Sequence, residues 1–200
     1  MSSILILFAH PLLEKSRVHL ELAKAARTVK GVTFNDLYEL YPDFDIDIKR
    51  EQQLLLSHDL IIWQHPFYWY SAPPIIKQWQ DLVLEHGWAY GKSGNALEGK
   101  KILNAISSGG GMDAYTDQGY NRFALHDFLK PYDQTAYLCK MQYLPPFWVP
   151  GVHRMNMDMI KKYSLQYKNI LTALSRDIFS DEEIMQVNYL NDLIPISSIQ

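Results

Sequence analysis

Cysteine and basic charge are the two features that this sequence has least of. It contains one cysteine, Cys139, in 200 residues, and its 19 Lys and Arg are outnumbered by 22 Asp and Glu, which gives a net charge of −3. A single cysteine excludes an internal disulfide framework and is typical of a reducing compartment. Without a basic excess, the chain lacks the electrostatic footprint of a nucleic-acid-binding protein. We therefore expect a cytoplasmic protein with no nucleic-acid partner.

Long apolar runs are also absent. No run reaches the ~18 residues that a membrane-spanning helix needs. The first apolar run, residues 4–9, follows Ser2 and Ser3 and has no basic residue before it. Because a signal peptide begins with a basic segment, this run is interpreted as the first strand of the fold.

Several catalytic signatures are missing or incomplete. No His-x-x-x-His pair with an acidic neighbour predicts a metal site, and no Gly-x-Ser-x-Gly elbow predicts a hydrolase. Residues 109–114 match the spacing of a dinucleotide fingerprint, but they follow the fourth predicted strand rather than the first. Gly87 and Gly91 are one residue too close for a phosphate loop. Cys139 has no activating neighbour and is interpreted as a buried, inert thiol.

The sequence is, in contrast, rich in apolar and aromatic residues. Hydrophobic residues make up 48% of the chain and aromatic residues 13%, which is enough at this length for one globular domain with a full core. Apolar, β-prone runs alternate with helical patterns along the chain. The predicted strands are residues 4–9, 32–34, 60–64, 101–106 and one strand within 141–149.

The helical patterns lie between and after these strands. Val18, Leu22, Ala26 and Val29 recur at helical spacing, and Gly31 ends that helix. Other helices are predicted at residues 48–56, at 75–83 behind a double proline, and at 155–174. Residues 123–129 and 132–140 are predicted as two helical or turn-like pieces, because Pro131 interrupts a helix.

Strands that alternate with helices indicate a parallel sheet with helices on both faces. We predict an α/β, flavodoxin-like fold with five parallel strands in the order 2-1-3-4-5, over residues 1–175. Residues 176–200 are predicted to form a C-terminal extension. The capping box of Ser180 and Glu183 predicts a short helix in that extension.

In this architecture, the carboxyl ends of the first, third and fourth strands meet at one crevice. The first loop ends at Ser16 and Arg17, where a helix N-terminus could hold a phosphate. The alternative is that Ser16 is only an N-cap. The third loop, residues 67–70, has four consecutive aromatics, which could stack on a planar ligand or could form a core plug or a dimer contact. These two interpretations are about equal on this loop alone.

The fourth loop contains Ser107 and Ser108 followed by three glycines. Glycines allow a ligand to approach the backbone closely, although a flexible turn is the simpler interpretation. A phosphate pocket, an aromatic slot and a glycine loop together fit FMN. The phosphate is expected on the first loop and the isoalloxazine between the third and fourth loops.

Several segments resemble the NAD(P)H quinone oxidoreductase family, and in particular its bacterial branch, the ancillary subunits of glutathione-regulated potassium-efflux systems. The specific segments are Tyr-Pro-Asp-Phe at residues 41–44 and Gln-His-Pro at residues 64–66. Further similarity lies in Ala-His-Pro at 9–11, Trp-Tyr-Ser at 69–71, His-Gly-Trp-Ala-Tyr-Gly at 86–91 and the glycine loop. The resemblance extends from residue 4 to about residue 146.

The resemblance implies a flavodoxin-like homodimer that binds FMN, reduces quinones with NAD(P)H and docks on the cytoplasmic face of a potassium-efflux transporter. Tyr115 is the implied catalytic residue. His19 stands where the family's phosphate loop usually has Asn, and Asn121 stands where better-studied members have a histidine. The implied cofactor-binding residues lie in the three loops and are His10, Ser16, Arg17, Val18, His19, Phe67, Tyr68, Trp69, Tyr70, Ser107, Ser108, Gly109 and Gly110.

We therefore hypothesise an FMN-dependent NAD(P)H:quinone oxidoreductase that works by two-step hydride transfer. The nicotinamide delivers a hydride to the flavin and leaves, and the quinone then takes its place. The alternative from another class is a regulatory binding subunit with little turnover. A one-electron flavodoxin is less favoured, because such proteins carry a strong acidic excess.

Overall fold

The computed structural model describes residues 1–199 and shows a parallel sheet between two layers of helices. The strands are β1 (Ile4–Phe8), β2 (Val32–Asp36), β3 (Leu60–Pro66), β4 (Lys101–Ser107), β5 (Gln142–Tyr143) and β6 (Phe147–Val149). The helices are α1 (Arg17–Ala26), α2 (Leu37–Leu40), α3 (Ile48–Leu56), α4 (Pro74–Val83), α5 (Leu125–Leu138), α6 (Met157–Ser175) and α7 (Asp181–Met185).

The strand order is β2-β1-β3-β4-β5, and every pairing is parallel. The predicted order and the flavodoxin-like architecture are therefore confirmed. β1 and β3 are buried along their whole lengths, because helices cover the sheet on both faces. One core cluster lies on each side of the sheet.

The prediction of one fifth strand was incomplete. Both β5 and β6 pair with β4, so two short strands share the fifth position. Pro145 and Pro146 lie between them, and a proline has no N–H to donate to a ladder. The chain leaves the sheet at the prolines and rejoins it at Phe147, which brings β6 beside the carboxyl end of β4.

The predicted break at Pro131 is wrong, since α5 continues through this residue. Leu125, Leu129, Tyr132 and Ala136 are all buried on one face of the helix. Pro131 lies on the exposed face, and Thr135 donates its hydroxyl to the Pro131 carbonyl at 2.8 Å. Burial of four side chains therefore outweighs the roughly 3 kcal/mol cost of a proline within a helix.

The C-terminal extension contains the predicted short helix, α7, whose Ser180 cap accepts a bond from the Glu183 N–H at 3.2 Å. Two 3-10 turns follow, Leu190–Leu193 and Ile196–Ser198. The extension packs back onto β6 and α6 through the buried side chain of Leu190. Among residues 1–199, no helix has the length and apolarity that crossing a membrane would need.

Candidate functional site

A cleft of about 820 Å³ opens at the carboxyl ends of β1, β3 and β4. This volume falls within the range of about 300 to 1,000 Å³ that is typical of ligand pockets. Three loops form its walls, and the turn after β6 forms a fourth. The lining residues are His10, Leu12, Lys15, Ser16, Arg17, Val18, Pro66, Phe67, Tyr68, Trp69, Tyr70, Ser107, Gly109, Gly110, Ala114, Tyr115, Tyr120, Asn121, Val152 and His153.

The first wall is the start of α1. The Ser16 hydroxyl accepts a hydrogen bond from the His19 backbone N–H at 3.1 Å, so Ser16 is the N-cap. Within residues 1–199, the backbone N–H groups of Arg17 and Val18 donate to no protein acceptor. These free donors and the helix dipole make this edge of the cleft a candidate anion site.

Two cations flank this anion site. Lys15 and Arg17 line the cleft, and none of the described lining residues is acidic. The Arg17 guanidinium also donates to the carbonyls of Val152 and Met155, each at 3.1 Å. It therefore connects the first loop to the turn after β6 and contributes positive charge at the same time.

The second wall is the aromatic loop after β3. The Phe67 N–H donates to the Ser107 carbonyl at 2.8 Å, and the Ser71 N–H donates to the Tyr68 carbonyl at 2.9 Å. Trp69 and Tyr70 have φ angles of 50° and 62°, a left-handed backbone that bulky residues rarely adopt. Such strain is tolerated where the surrounding structure enforces it, and it is common at ligand sites.

The four aromatics of this loop have different environments. Phe67 is buried and contacts Tyr115 at 5.8 Å between ring centroids. Tyr68 and Tyr70 are partly exposed, whereas Trp69 is 93% exposed. Within residues 1–199, the backbone N–H groups of Trp69 and Tyr70 donate no hydrogen bond. This loop therefore offers the cleft both apolar ring faces and free backbone donors.

The third wall is the glycine loop after β4. The Ser108 N–H donates to the Val149 carbonyl at 3.0 Å, and the Gly151 N–H donates to the Gly110 carbonyl at 2.9 Å. A Cβ at Gly109 would lie 2.5 Å from Nε2 of His153. A side chain at Gly109 would therefore displace the His153 ring, and with glycine at this position the loop presents its backbone to the cleft.

Tyr115 closes the inner end of the cleft. Its ring packs edge-on against Trp148 at 5.6 Å and Phe128 at 6.1 Å between centroids. Burial raises the pKa of the Tyr115 phenol. The phenol therefore stays protonated at neutral pH and can donate a hydrogen bond into the cleft.

Two histidines lie between the first and fourth loops. His19 is buried and lies with Nε2 2.9 Å from the Ser107 hydroxyl, while its Nδ1 has no partner in the described part of the chain. Burial holds the pKa of His19 well below its usual value, and the nearby His10 adds to this effect. Burial also lowers the pKa of His10. Neither imidazole therefore carries a charge at neutral pH.

His65 fixes the end of β3. Its Nδ1 lies 3.0 Å from the Pro66 carbonyl, which can only accept, so Nδ1 carries the proton. Its Nε2 then accepts from the Asn104 side-chain amide at 3.0 Å. Burial lowers the pKa of His65 to about 4, which keeps this tautomer neutral. The neutral imidazole of His65, hydrogen-bonded on both sides, therefore fixes the backbone from which the aromatic loop begins.

The structure brings all the predicted site residues to this cleft except His19 and Ser108, whose side chains are buried beneath its surface. The Ser108 hydroxyl donates to the Gly110 carbonyl at 2.8 Å, so it supports the glycine loop from below. His19 supports the same loop through Ser107. In this structure both side chains support the glycine loop from below, and their contact with a cofactor stays a prediction.

The turn after β6 was not predicted as part of the site. Val152 and His153 line the cleft from a 3-10 turn, Val152–Arg154, that begins at Gly151 with φ of 71°. The Pro150-Gly151 pair was the available sequence signal, since such a pair marks a turn. Lys15, Ala114 and Tyr120 also line the cleft and were not predicted.

Comparison with known proteins agrees with this geometry. The sequence matches the family with the flavodoxin-like fold over residues 2–171. It is 41% identical over 170 residues to the glutathione-regulated potassium-efflux system ancillary protein KefF of Salmonella typhi, which covers 85% of this chain and 96% of the relative.

Two solved structures are also similar. General stress protein 14 of Treponema denticola, in complex with FMN, has a TM-score of 0.82 and 37% identity, over 86% of this chain and 99% of its own. An NADPH-quinone reductase of P. pentosaceus has a TM-score of 0.76 and 32% identity, over 84% of this chain and 96% of its own. The resemblance seen in the sequence is confirmed, and this chain belongs to the flavodoxin-like family that includes the potassium-efflux ancillary proteins.

Proposed function

We propose that this protein is an FMN-dependent NAD(P)H:quinone oxidoreductase. The observation that carries the proposal is a single cleft with two chemically different ends. One end has the free N–H groups of α1 beside Lys15 and Arg17, and the other has aromatic rings and a glycine loop. FMN has the same polarity, with a phosphate at one end and a planar ring at the other.

The free backbone donors of the cleft fit FMN at both ends. Arg17 and Val18 would hold the phosphate by their N–H groups, which have no partner in residues 1–199. The N–H groups of Trp69, Tyr70 and Gly110 are likewise free in the described chain and would meet the polar edge of the ring system. A Cβ at Gly110 would lie only 3.2 Å from the Tyr115 ring, so the close packing of this loop against Tyr115 favours glycine.

The relatives support the same assignment. The T. denticola protein was solved with FMN, and the P. pentosaceus protein is an NADPH-quinone reductase. When bound, FMN supplies the hydride exchange between a nicotinamide and a quinone. The protein side chains then have simpler tasks. Phe67 and Tyr115 exclude water from the inner end of the cleft, and the free N–H groups stabilise negative charge on the ring.

Tyr115 is proposed to donate a hydrogen bond to the reacting ring system. Tyr115→Phe is expected to lower kcat about tenfold, which corresponds to the loss of one hydrogen bond of roughly 1.4 kcal/mol. Because burial raises the pKa of the phenol, the loss should be the same at pH 6 and pH 9. Tyr137→Phe, at an exposed position of α5, is the matched control. Equal kcat values for both variants would show that Tyr115 has no role in the reaction.

The visible spectrum of the purified protein tests the function. FMN added to the apoprotein is expected to remain bound through gel filtration, with a flavin absorbance band. Anaerobic NADPH or NADH should bleach that band, and a soluble quinone should restore it. Protein that takes up no FMN would contradict the proposal at its first step. Bound FMN that no nicotinamide reduces would contradict the activity but leave the cofactor site standing.

We further propose that a second copy of the chain covers the outer rim of the cleft. Trp69 and Tyr120 line the cleft yet are 93% and 91% exposed, and large exposed aromatics are typical of protein interfaces. Light scattering should then give twice the 23.3 kDa mass of the chain. A mass of one chain at micromolar concentration would exclude this dimer.

A role beside a potassium-efflux transporter is the second proposed function. It is supported by the 41% identity to a protein named as an ancillary subunit of such a system. Docking on that transporter would place the protein at the inner face of the membrane. Potassium efflux from cells that express the transporter with and without this chain tests the role. Unchanged efflux, together with normal quinone turnover, would contradict the transporter role and support the enzymatic function only.

A further inference from the structure

The C-terminal extension lies outside the matched family region, which ends at residue 171. It nevertheless reaches the sheet. The Leu190 N–H donates to the Pro146 carbonyl at 3.0 Å, just before β6 begins. This contact places the next residue, Asn191, directly beside the free edge of β6.

Asn191 completes the edge of the sheet with its side chain. Its Oδ1 accepts from the Trp148 backbone N–H at 2.9 Å, and its Nδ2 donates to the Trp148 carbonyl at 3.1 Å. The amide therefore makes both bonds that a further strand would make with this residue. Gln166 of α6 fixes Asn191 in turn, through its Oε1 at 3.0 Å and its Nε2 at 3.1 Å.

The side chain of Trp148 is buried behind the glycine loop. Its indole Nε1 donates to the Ser108 hydroxyl at 2.9 Å, and that hydroxyl donates to the Gly110 carbonyl at 2.8 Å. Its ring also packs against Tyr115. Asn191 is therefore connected to the glycine loop through one buried tryptophan and one buried serine.

We propose that Asn191 is a positioning residue for the glycine loop, and that the C-terminal extension thereby sets how tightly the cleft holds its cofactor. The part of the proposal that concerns the cofactor rests on the function proposed above. In residues 1–199, the outward backbone groups of Trp148 have Asn191 as their hydrogen-bond partner. Without Asn191, the Trp148 backbone is no longer held in place. The hydrogen bond from its indole to Ser108, which supports Gly110, should then weaken.

Hydrogen exchange in the apoprotein tests the position of the loop without any cofactor. Asn191→Ala is expected to speed amide exchange at Ser108, Gly151 and Val152 about tenfold, because these N–H groups donate to the Val149, Gly110 and Ser108 carbonyls and local opening of the loop becomes easier. Asn188→Ala is the matched control, since Asn188 is an exposed residue of the same extension. Unchanged exchange at Ser108, Gly151 and Val152, in a variant that folds, would overturn the proposal.

The dissociation constant of FMN, measured by titration of the apoprotein at 25 °C, tests the second part. Asn191→Ala should weaken binding about tenfold and Asn188→Ala less than twofold. Trp148→Phe keeps a buried ring but removes the indole donor, so it should also weaken binding. If the connection runs through Trp148, the double variant should bind no more weakly than the weaker single variant. Fully additive losses would overturn the connection through Trp148. If Asn191→Ala does not fold, Trp148→Phe alone still tests this connection.

The two measurements separate the possible failures. If the unaltered protein binds no FMN but Asn191→Ala speeds loop exchange, the positioning role stands and the proposed cofactor is wrong. If the protein binds FMN and Asn191→Ala changes neither exchange nor affinity, the positioning role is wrong and the function stands. A lower melting temperature alone, without either change, would show a merely structural role for Asn191.

Discussion

Replacing Glu51 with alanine is expected to lower the free energy of unfolding by about 3 to 5 kcal/mol. Glu51 is fully buried on α3, where its carboxylate accepts the Tyr41 hydroxyl at 2.7 Å and the Trp79 indole N–H at 2.9 Å. It also forms an ion pair with Arg50 and accepts from the Asn35 amide at 2.9 Å. Truncation leaves the buried donors of Asn35, Tyr41 and Trp79 without this acceptor.

The network connects separate parts of the fold. Asn35 lies on β2, Tyr41 follows α2 and Trp79 lies on α4, so one carboxylate holds a strand, a connector and two helices together. A change of this size is a large fraction of the 5 to 15 kcal/mol that stabilises a typical domain. Urea unfolding followed by circular dichroism measures it.

Asp81→Ala is the control for this experiment. Asp81 pairs with Lys77 at the surface of α4, and such a pair contributes at most about 0.5 kcal/mol. Glu51→Gln provides a second comparison, because it keeps the shape of the side chain but loses the charge and one acceptor. A loss below about 1 kcal/mol for Glu51→Ala would contradict the structural role of this network.

Replacing Ser16 with aspartate is expected to weaken FMN binding about 100-fold while the fold stays intact. Aspartate is as good an N-cap as serine, so α1 keeps its start. Its carboxylate, however, would stand beside the free N–H groups of Arg17 and Val18 that are proposed to hold the phosphate. Two unit charges about 5 Å apart repel by roughly 3 kcal/mol at the effective dielectric of a protein surface.

Ser16→Asn is the matched control, because asparagine caps a helix equally well and has no charge. Fluorescence titration of each apoprotein with FMN gives the dissociation constants, and riboflavin, which lacks the phosphate, gives a further control. The aspartate variant should bind riboflavin like the unaltered protein. Equal FMN affinities for Ser16→Asp and Ser16→Asn would show that the phosphate does not lie at this helix.

The sequence predicted the sheet order correctly because the relevant signals are local. The apolar runs that became β1, β3 and β4 each end in a loop of distinctive composition, and parallel strands bring such ends together. Most residues of the predicted site therefore line the same cleft. The prediction of a helix break at Pro131 was wrong because it considered only the local cost of a proline. Burial of the other face of α5 stabilises the helix by more than this cost.

The sequence alone determined the order of strands and helices, the flavodoxin-like architecture and the loops that meet at the cleft. Those features follow from the periodicity and composition of short segments. The tertiary structure decided which polar atoms remain free. It showed that Arg17 reaches Met155, 138 residues away, and that Asn191 completes the edge of β6. Contacts between distant residues leave no pattern in a single sequence, because the chain must fold before those groups meet.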